Sequence, residues 1–138
     1  MKLYIASKYQ ERDYVRHLMG TLMSVGHTIT VDWTNHDLFP SDSPAVKLAE
    51  FAVADVGGVR DAQVYIGVFL NSHHYRGALV EWGIALGLNK PCLIMGHAED
   101  DCIFINHPLV QRIDGEVTLL KVLEEIEHGH INIHGVGI

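Results

Sequence analysis

The chain has 138 residues, 48% of them hydrophobic and 20% charged, with a net charge of −7. That length suits one domain, residues 1–138, with a real core, and the acidic balance excludes a surface built to neutralise a nucleic-acid backbone. No apolar run approaches the roughly 20 residues of a membrane span, and the first apolar stretch is too short for a signal peptide, so a cytoplasmic protein with no membrane partner is expected.

Lys2 to Ala6 reads as a buried strand. Ser7-Lys8-Tyr9-Gln10 turns into a helix of about Glu11 to Val25, where Val15, Leu18, Met19, Leu22 and Met23 repeat at the spacing of one buried face. Gly26 stops it, and His27 to Val31 is a second, β-branched strand. Residues 32–42 form a polar loop carrying Trp33, Asn35, His36 and Asp37, long enough to expect a functional role. Trp33 reads as an exposed aromatic suited to stacking on a ligand. Ser43-Pro44 predicts a hydroxyl-capped helix start, with the helix reaching about Arg60. Gly57-Gly58 near its end signals close packing or a fraying turn.

Val64 to Leu70 is almost continuously apolar, as a central parallel strand should be. The loop 71–74 leads into the helix-length segment that carries Glu81, and Pro91 to Met95 gives a fourth strand. Beyond an acidic loop and the short apolar run Cys102 to Ile105, a fifth strand falls near Gln111 to Ile113, and a helix runs from Glu116 to about His128. The tail from Ile131 to Ile138 is glycine-rich and apolar, an edge strand or a subunit contact. Alternating strands and helices imply an α/β, doubly wound, flavodoxin-like or Rossmann-like fold with five parallel strands in the order 2-1-3-4-5.

In that topology the loops after strands one and three share a crevice at the carboxyl edge of the sheet, where such folds bind ligands. That brings together Ala6-Ser7-Lys8-Tyr9, the Trp33 to Asp37 loop, Asn71 to Gly77 with Arg76, and Glu81. Glu81 falls in the first helical turn, where the helix dipole favours a carboxylate: it is either a nucleophile or merely a complement to that dipole. Asp55, on a mostly apolar helix, either faces the same cleft or sits solvated outside it. No GxGxxG, P-loop or GxSxG pattern is present, which argues against a dinucleotide site, a phosphate cradle of that kind and a serine triad. His73-His74 are adjacent and so diverge in most backbones, His128, His130 and His134 fit a solvated tail, and Cys92 and Cys102 lack ligand spacing. Reduced thiols, no metal and no cofactor are expected.

The stretch from Asp55 to Phe69, then Gly77-Ala-Leu-Val-Glu81-Trp-Gly83-Ile-Ala85 and Lys90-Pro91, with Tyr4 in Leu-Tyr-Ile-Ala-Ser, resembles the nucleoside 2-deoxyribosyltransferase family. That family includes nucleoside 5′-monophosphate N-glycosidases, and the resemblance spans Lys2 to Met95. It implies that Glu81 is the nucleophile at the anomeric carbon, that Tyr4 orients its carboxylate, and that Asp55 contacts the sugar. It further matches Ser7 with a phosphate-binding loop and Asn106 with an asparagine that reaches a neighbouring subunit's sugar. A homo-oligomer, at least a dimer, follows from the same likeness. Two departures stand out: Gly77-Ala78 replaces a common Gly-Thr, and Tyr75-Arg76 replaces a small polar or acidic residue. Arg76 places a cation at the cleft mouth, suited to a 5′-phosphate.

The reaction expected is cleavage or transfer at the N-glycosidic bond of a (deoxy)nucleoside or its 5′-monophosphate, through a glycosyl-enzyme on Glu81. Asn35, His36, Asp37 or a water would help the base leave, and Trp33 would stack on it. The alternatives are a non-catalytic nucleotide-binding domain using the same cleft, and a structural oligomer in which the cleft is vestigial.

Overall fold

The structure, a computed structural model, describes residues 1–72 and 74–129. His73 and the tail from residue 130, with its expected edge strand or subunit contact, lie outside the described residues. The strands are β1 (Lys2–Ala6), β2 (Thr28–Ile29), β3 (Val64–Val68), β4 (Cys92–Met95) and β5 (Val110–Ile113). Among the described residues four α-helices connect and follow them: α1 (Arg12–Ser24), α2 (Pro44–Asp61), α3 (Arg76–Gly87) and α4 (Glu116–Glu127). All strand pairs are parallel and the order is β2-β1-β3-β4-β5, as the alternation of elements predicts.

Every residue of β3 is buried, and so is every residue of β4. Helix-covered parallel strands have no solvated face, which is why their sequences are apolar without alternation. The right-handed rule for parallel crossovers assigns the helices to opposite faces. His17 of α1 lies 3.5 Å from Glu116 of α4, on one face, while α2 packs against α3 on the other. No helix among the described residues is long and apolar enough to cross a membrane.

The start of α2 departs from the expected cap. Ser43 takes a left-handed conformation, φ 46°, and its hydroxyl makes no capping bond; the helix is begun by Pro44, whose fixed φ suits the first position. At the other end the two glycines divide the work. A Cβ on Gly58 would stand 2.5 Å from Val31 Cγ2 and 3.1 Å from the Tyr4 ring, whereas one on Gly57 meets nothing within 4 Å. Close packing, not fraying, explains Gly58. Gly58→Ala is therefore expected to destabilise the fold by about 1–3 kcal/mol through overpacking, while Gly57→Ala gains about 0.5–1 kcal/mol of helix stability. Urea melts of the two variants check the contrast, and equal effects would remove the packing explanation.

Candidate active site

Tyr4 lies on β1 with its ring stacked near that of Tyr65 on β3, centroids 6.4 Å apart and planes at 14°. Tyr65 is fully buried and its hydroxyl donates to the Ala78 carbonyl at 2.7 Å, which fixes the start of α3 against the sheet. The Tyr4 hydroxyl donates a short hydrogen bond to Glu81 Oε2. Burial, with Glu81 and Asp55 adding to it, holds the Tyr4 phenol far above its ordinary range. The phenol is thus a committed proton donor across the pH range of the living cell.

Glu81 stands one turn further into α3 than the sequence suggests. The helix begins at Arg76 with no acidic residue in its first turn, so the dipole, which acts mainly over that turn, does little for it. Burial decides instead. It pushes the Glu81 carboxyl up to about 7, the Tyr4 hydrogen bond pulling back and the Asp55 charge pushing the same way as burial. A reading of Glu81 as a dipole complement is therefore replaced by a desolvated carboxylate held on one oxygen by a neutral phenol.

Asp55 faces the cleft from α2 and is not a solvated outer position. Its Oδ1 is buried with no hydrogen-bond partner, and 4.0 Å away is His36 Nδ1. Burial raises the Asp55 carboxyl, with His36 acting against that rise. His36 in turn stacks flat on Phe51, centroids 4.2 Å apart at 8°. Tyr4, Asp55 and Glu81 line one cavity of about 310 Å³ together with Ser7, Lys8, Trp33, His36, Arg76 and Gly77.

The remaining expectations divide. Trp33 borders the cavity, but it is 8% exposed and its indole N–H donates to the Ile5 carbonyl at 2.6 Å. It is a wall held by β1, not the exposed ring expected, because that carbonyl at the strand's end needs a donor. Asn35 is exposed and spends its amide on Asp32 Oδ2 at 3.0 Å, and Asp37 accepts the backbone N–H of Phe39 at 2.9 Å. Of the three residues offered to the leaving base, His36 alone lines the cavity. Asn106 is exposed outside the cavity, its amide 3.3 Å from the Ile103 carbonyl. Ser7 Oγ lies 2.8 Å from Glu11 Oε2 and 2.9 Å from the Val68 carbonyl, so its one hydrogen is already committed within the protein. Among the described residues no cluster of three or more His, Cys, Asp or Glu side chains could hold a metal ion.

Glu11 was missed, while Lys8 lines the crevice as expected. Glu11 is buried, with Oε1 accepting from the Tyr75 hydroxyl at 2.9 Å and from the Asn71 amide. Lys8 is buried beside it, Nζ 3.9 Å from Glu11 Oε1 and 4.7 Å from the Tyr75 ring centroid. A Lys and a Glu three apart straight after the first strand is the signal that was available.

No protein-family model matches the sequence, and no curated protein matches it closely. Solved structures do. A 2-deoxyribosyltransferase from Bacillus psychrosaccharolyticus superposes with a TM-score of 0.66 at 16% identity, over 83% of this chain and 87% of its own. The chain has that enzyme's fold. A CMP N-glycosidase from Clostridium botulinum gives 0.59 at 16% identity, over 90% of this chain and 98% of its own. A conserved protein from Enterococcus faecalis V583 gives 0.58 at 14% identity, over 94% of this chain and 98% of its own. The doubly wound architecture expected from the sequence is the one these structures share, and the Tyr4–Glu81 hydrogen bond sits at the carboxyl edge of its sheet, where folds of this kind bind ligands.

Proposed function

We propose that the protein cleaves, or transfers across, the N-glycosidic bond of a (deoxy)nucleoside or its 5′-monophosphate, with Glu81 as nucleophile. The observation that carries this reading is the partly buried Tyr4–Glu81 hydrogen bond in a cavity that also holds Asp55. Among the described residues neither desolvated carboxylate pairs with a Lys or Arg, and His36 stands 4.0 Å from Asp55, so the two are poorly compensated while the bound sugar is neutral. Positive charge developing at the anomeric carbon relieves that repulsion, so the interaction grows between ground state and transition state, which is what lowers a barrier.

In the first half-reaction a Glu81 carboxylate oxygen bonds the anomeric carbon as the carbon–nitrogen bond breaks and its electron pair leaves with the base. His36 is placed to help that base accept a proton. In the second, water or a second base attacks the same carbon and frees Glu81, giving hydrolysis or transfer. Tyr4 holds the non-attacking oxygen in place throughout. Chromatographic detection of free base across a panel of nucleosides and monophosphates, with and without an acceptor base, tests the reading. Base release undiminished in Glu81→Ala would overturn it, and saturable binding without release would mark a binding domain.

Self-association belongs to the same proposal. Helix α2 is apolar on nearly all sides yet mostly exposed, with Val46 60% and Val53 73% exposed and Val80 of the neighbouring α3 64% exposed. A helix with apolar residues all round normally has its outer face covered. A separate groove of about 600 Å³ is lined by Leu79, Gly83, Gly87 and Phe104 among others, where the two glycines leave open space. An exposed apolar helix face is one that a twofold contact between identical chains can cover. Val53→Asp is expected to convert a dimer or larger assembly to monomer in sedimentation velocity; a wild-type chain that sediments as a monomer at tens of micromolar would refute this part.

A further inference from the structure

Tyr75 is half of the departure at the entrance to α3, and the chemistry assigned to the cleft leaves it unused. It is the last residue before the helix and is buried. Its hydroxyl donates to Glu11 Oε1 at 2.9 Å and accepts the Asn71 backbone N–H at 2.8 Å. The Asn71 side-chain amide donates to the same Glu11 oxygen, and Ser7 Oγ lies 2.8 Å from the other. Glu11 is thus a buried hub on which the loop after β1 and the loop after β3 both close. A buried network whose members are all partnered is rigid, and its parts move together.

Rigid steps join this hub to Glu81. The Tyr75 ring meets Phe69 edge-on, centroids 5.0 Å apart at 70°, and Phe69 meets Trp82, the neighbour of Glu81, at 5.8 Å. Glu81 follows Tyr75 by less than two turns of helix. A second tether lies between them, where the Tyr65 hydroxyl donates to the Ala78 carbonyl at 2.7 Å. Tyr65 alone would let α3 pivot about Ala78, and the Tyr75–Glu11 bond at the helix entrance removes that pivot. Glu81 depends on this, because the groups that face it belong to other elements: Tyr4 to β1, Tyr65 to β3 and Asp55 to α2. A tilt of α3 changes the Tyr4–Glu81 hydrogen bond directly.

Resting on the N-glycosidase reading above, we infer that Tyr75 and Glu11 are positioning residues for the reaction, their hydrogen bond holding the entrance of α3 so that Glu81 meets both Tyr4 and the anomeric carbon. They act through Glu81 and not on the reacting atoms. Tyr75→Phe isolates the effect, because it keeps the ring against Phe69 and beside Lys8 and removes only the hydroxyl. The variant is expected to lower kcat about tenfold to a hundredfold, the cost of displacing a reacting group by about an ångström, with KM little changed.

Three readouts separate positioning from general loss of stability. The rise of kcat/KM with pH should move to higher pH in Tyr75→Phe, since a weakened bond from Tyr4 favours the Glu81 carboxylate less. Added to Tyr4→Phe, the same substitution should cost less than it does alone, because the bond it protects is already gone. Glu11→Gln, which keeps an oxygen for Tyr75 and Asn71, should retain more activity than Glu11→Met. A limb that stays in place, losses that multiply in full in the double variant, or equal loss in the two Glu11 variants would overturn the assignment. Carbon-13 NMR titration of the Glu81 carboxyl, its signal assigned by its absence in Glu81→Gln, reads the same positioning without a reaction. An upward shift of its midpoint in Tyr75→Phe, with no base released from any substrate, would keep the positioning and discard the glycosidase reading. An unshifted midpoint would discard the positioning whether or not base is released.

Discussion

Glu81→Gln is expected to cut base release by roughly a thousandfold or more, because glutamine keeps the shape and the bond from Tyr4 but cannot attack the sugar. The same variant should be more stable than the wild type at neutral and alkaline pH. Burial raises the folded-state carboxyl to about 7 from an ordinary 4.5. A carboxyl raised on folding contributes stability that is whole below the unfolded value and is lost as pH climbs through the folded one. The wild type therefore loses stability between about pH 4.5 and 7, and glutamine, which does not titrate, does not. At pH 8 the gap should be about 2–3 kcal/mol, read as a difference in urea midpoints at pH 4.5 and pH 8. A gap that is the same at both pH values would show that Glu81 is not a strained carboxylate. Loss of activity joined to gain of stability is the expected mark of a group kept for chemistry.

The second large effect is a pair of opposed shifts in the pH profile. If ionised Glu81 is the nucleophile, kcat/KM should rise with pH along a limb centred near 7. Tyr4→Phe removes the hydrogen bond that favours the carboxylate, so its limb should move to higher pH. Asp55→Asn removes a neighbouring negative charge that disfavours the carboxylate, so its limb should move to lower pH. Each variant also loses rate, about tenfold to a thousandfold, since each touches the reacting centre. The opposite signs are the decisive readout, because general damage to the fold would not move the two limbs apart. Limbs that shift together would remove Glu81 as the titrating group.

The strand order was legible because it rests on long apolar periodicities, and the crevice beside Glu81 because parallel sheets place their ligand sites at the carboxyl ends of the strands; the meeting of Tyr4 and Asp55 with Glu81 came only from the family resemblance. What was not legible depends on burial, which a sequence does not print. Glu81 was expected to be kept ionised by a helix terminus, but α3 begins a turn too early for that and desolvation decides its charge. Trp33 sits in a polar stretch, yet the free carbonyl of Ile5 draws its indole inward. Ser7-Lys8-Tyr9-Gln10 looked like an ordinary polar turn. It becomes a buried ionic cluster only when Asn71 and Tyr75 fold over it from sixty residues away.

Gly58 sits one turn after Asp55 on α2, at the three-residue spacing that puts both on the same helical face. Because its missing side chain lets α2 rest directly on the Tyr4 ring, that contact acts as a spacer for the cleft. It sets how far Asp55 stands from the Tyr4–Glu81 pair, and so, on the proposed function, how wide a sugar would fit between the two carboxylates. A residue that carries no functional group would thereby gauge the proposed substrate, and its replacement by alanine would widen the slot before it altered any chemistry.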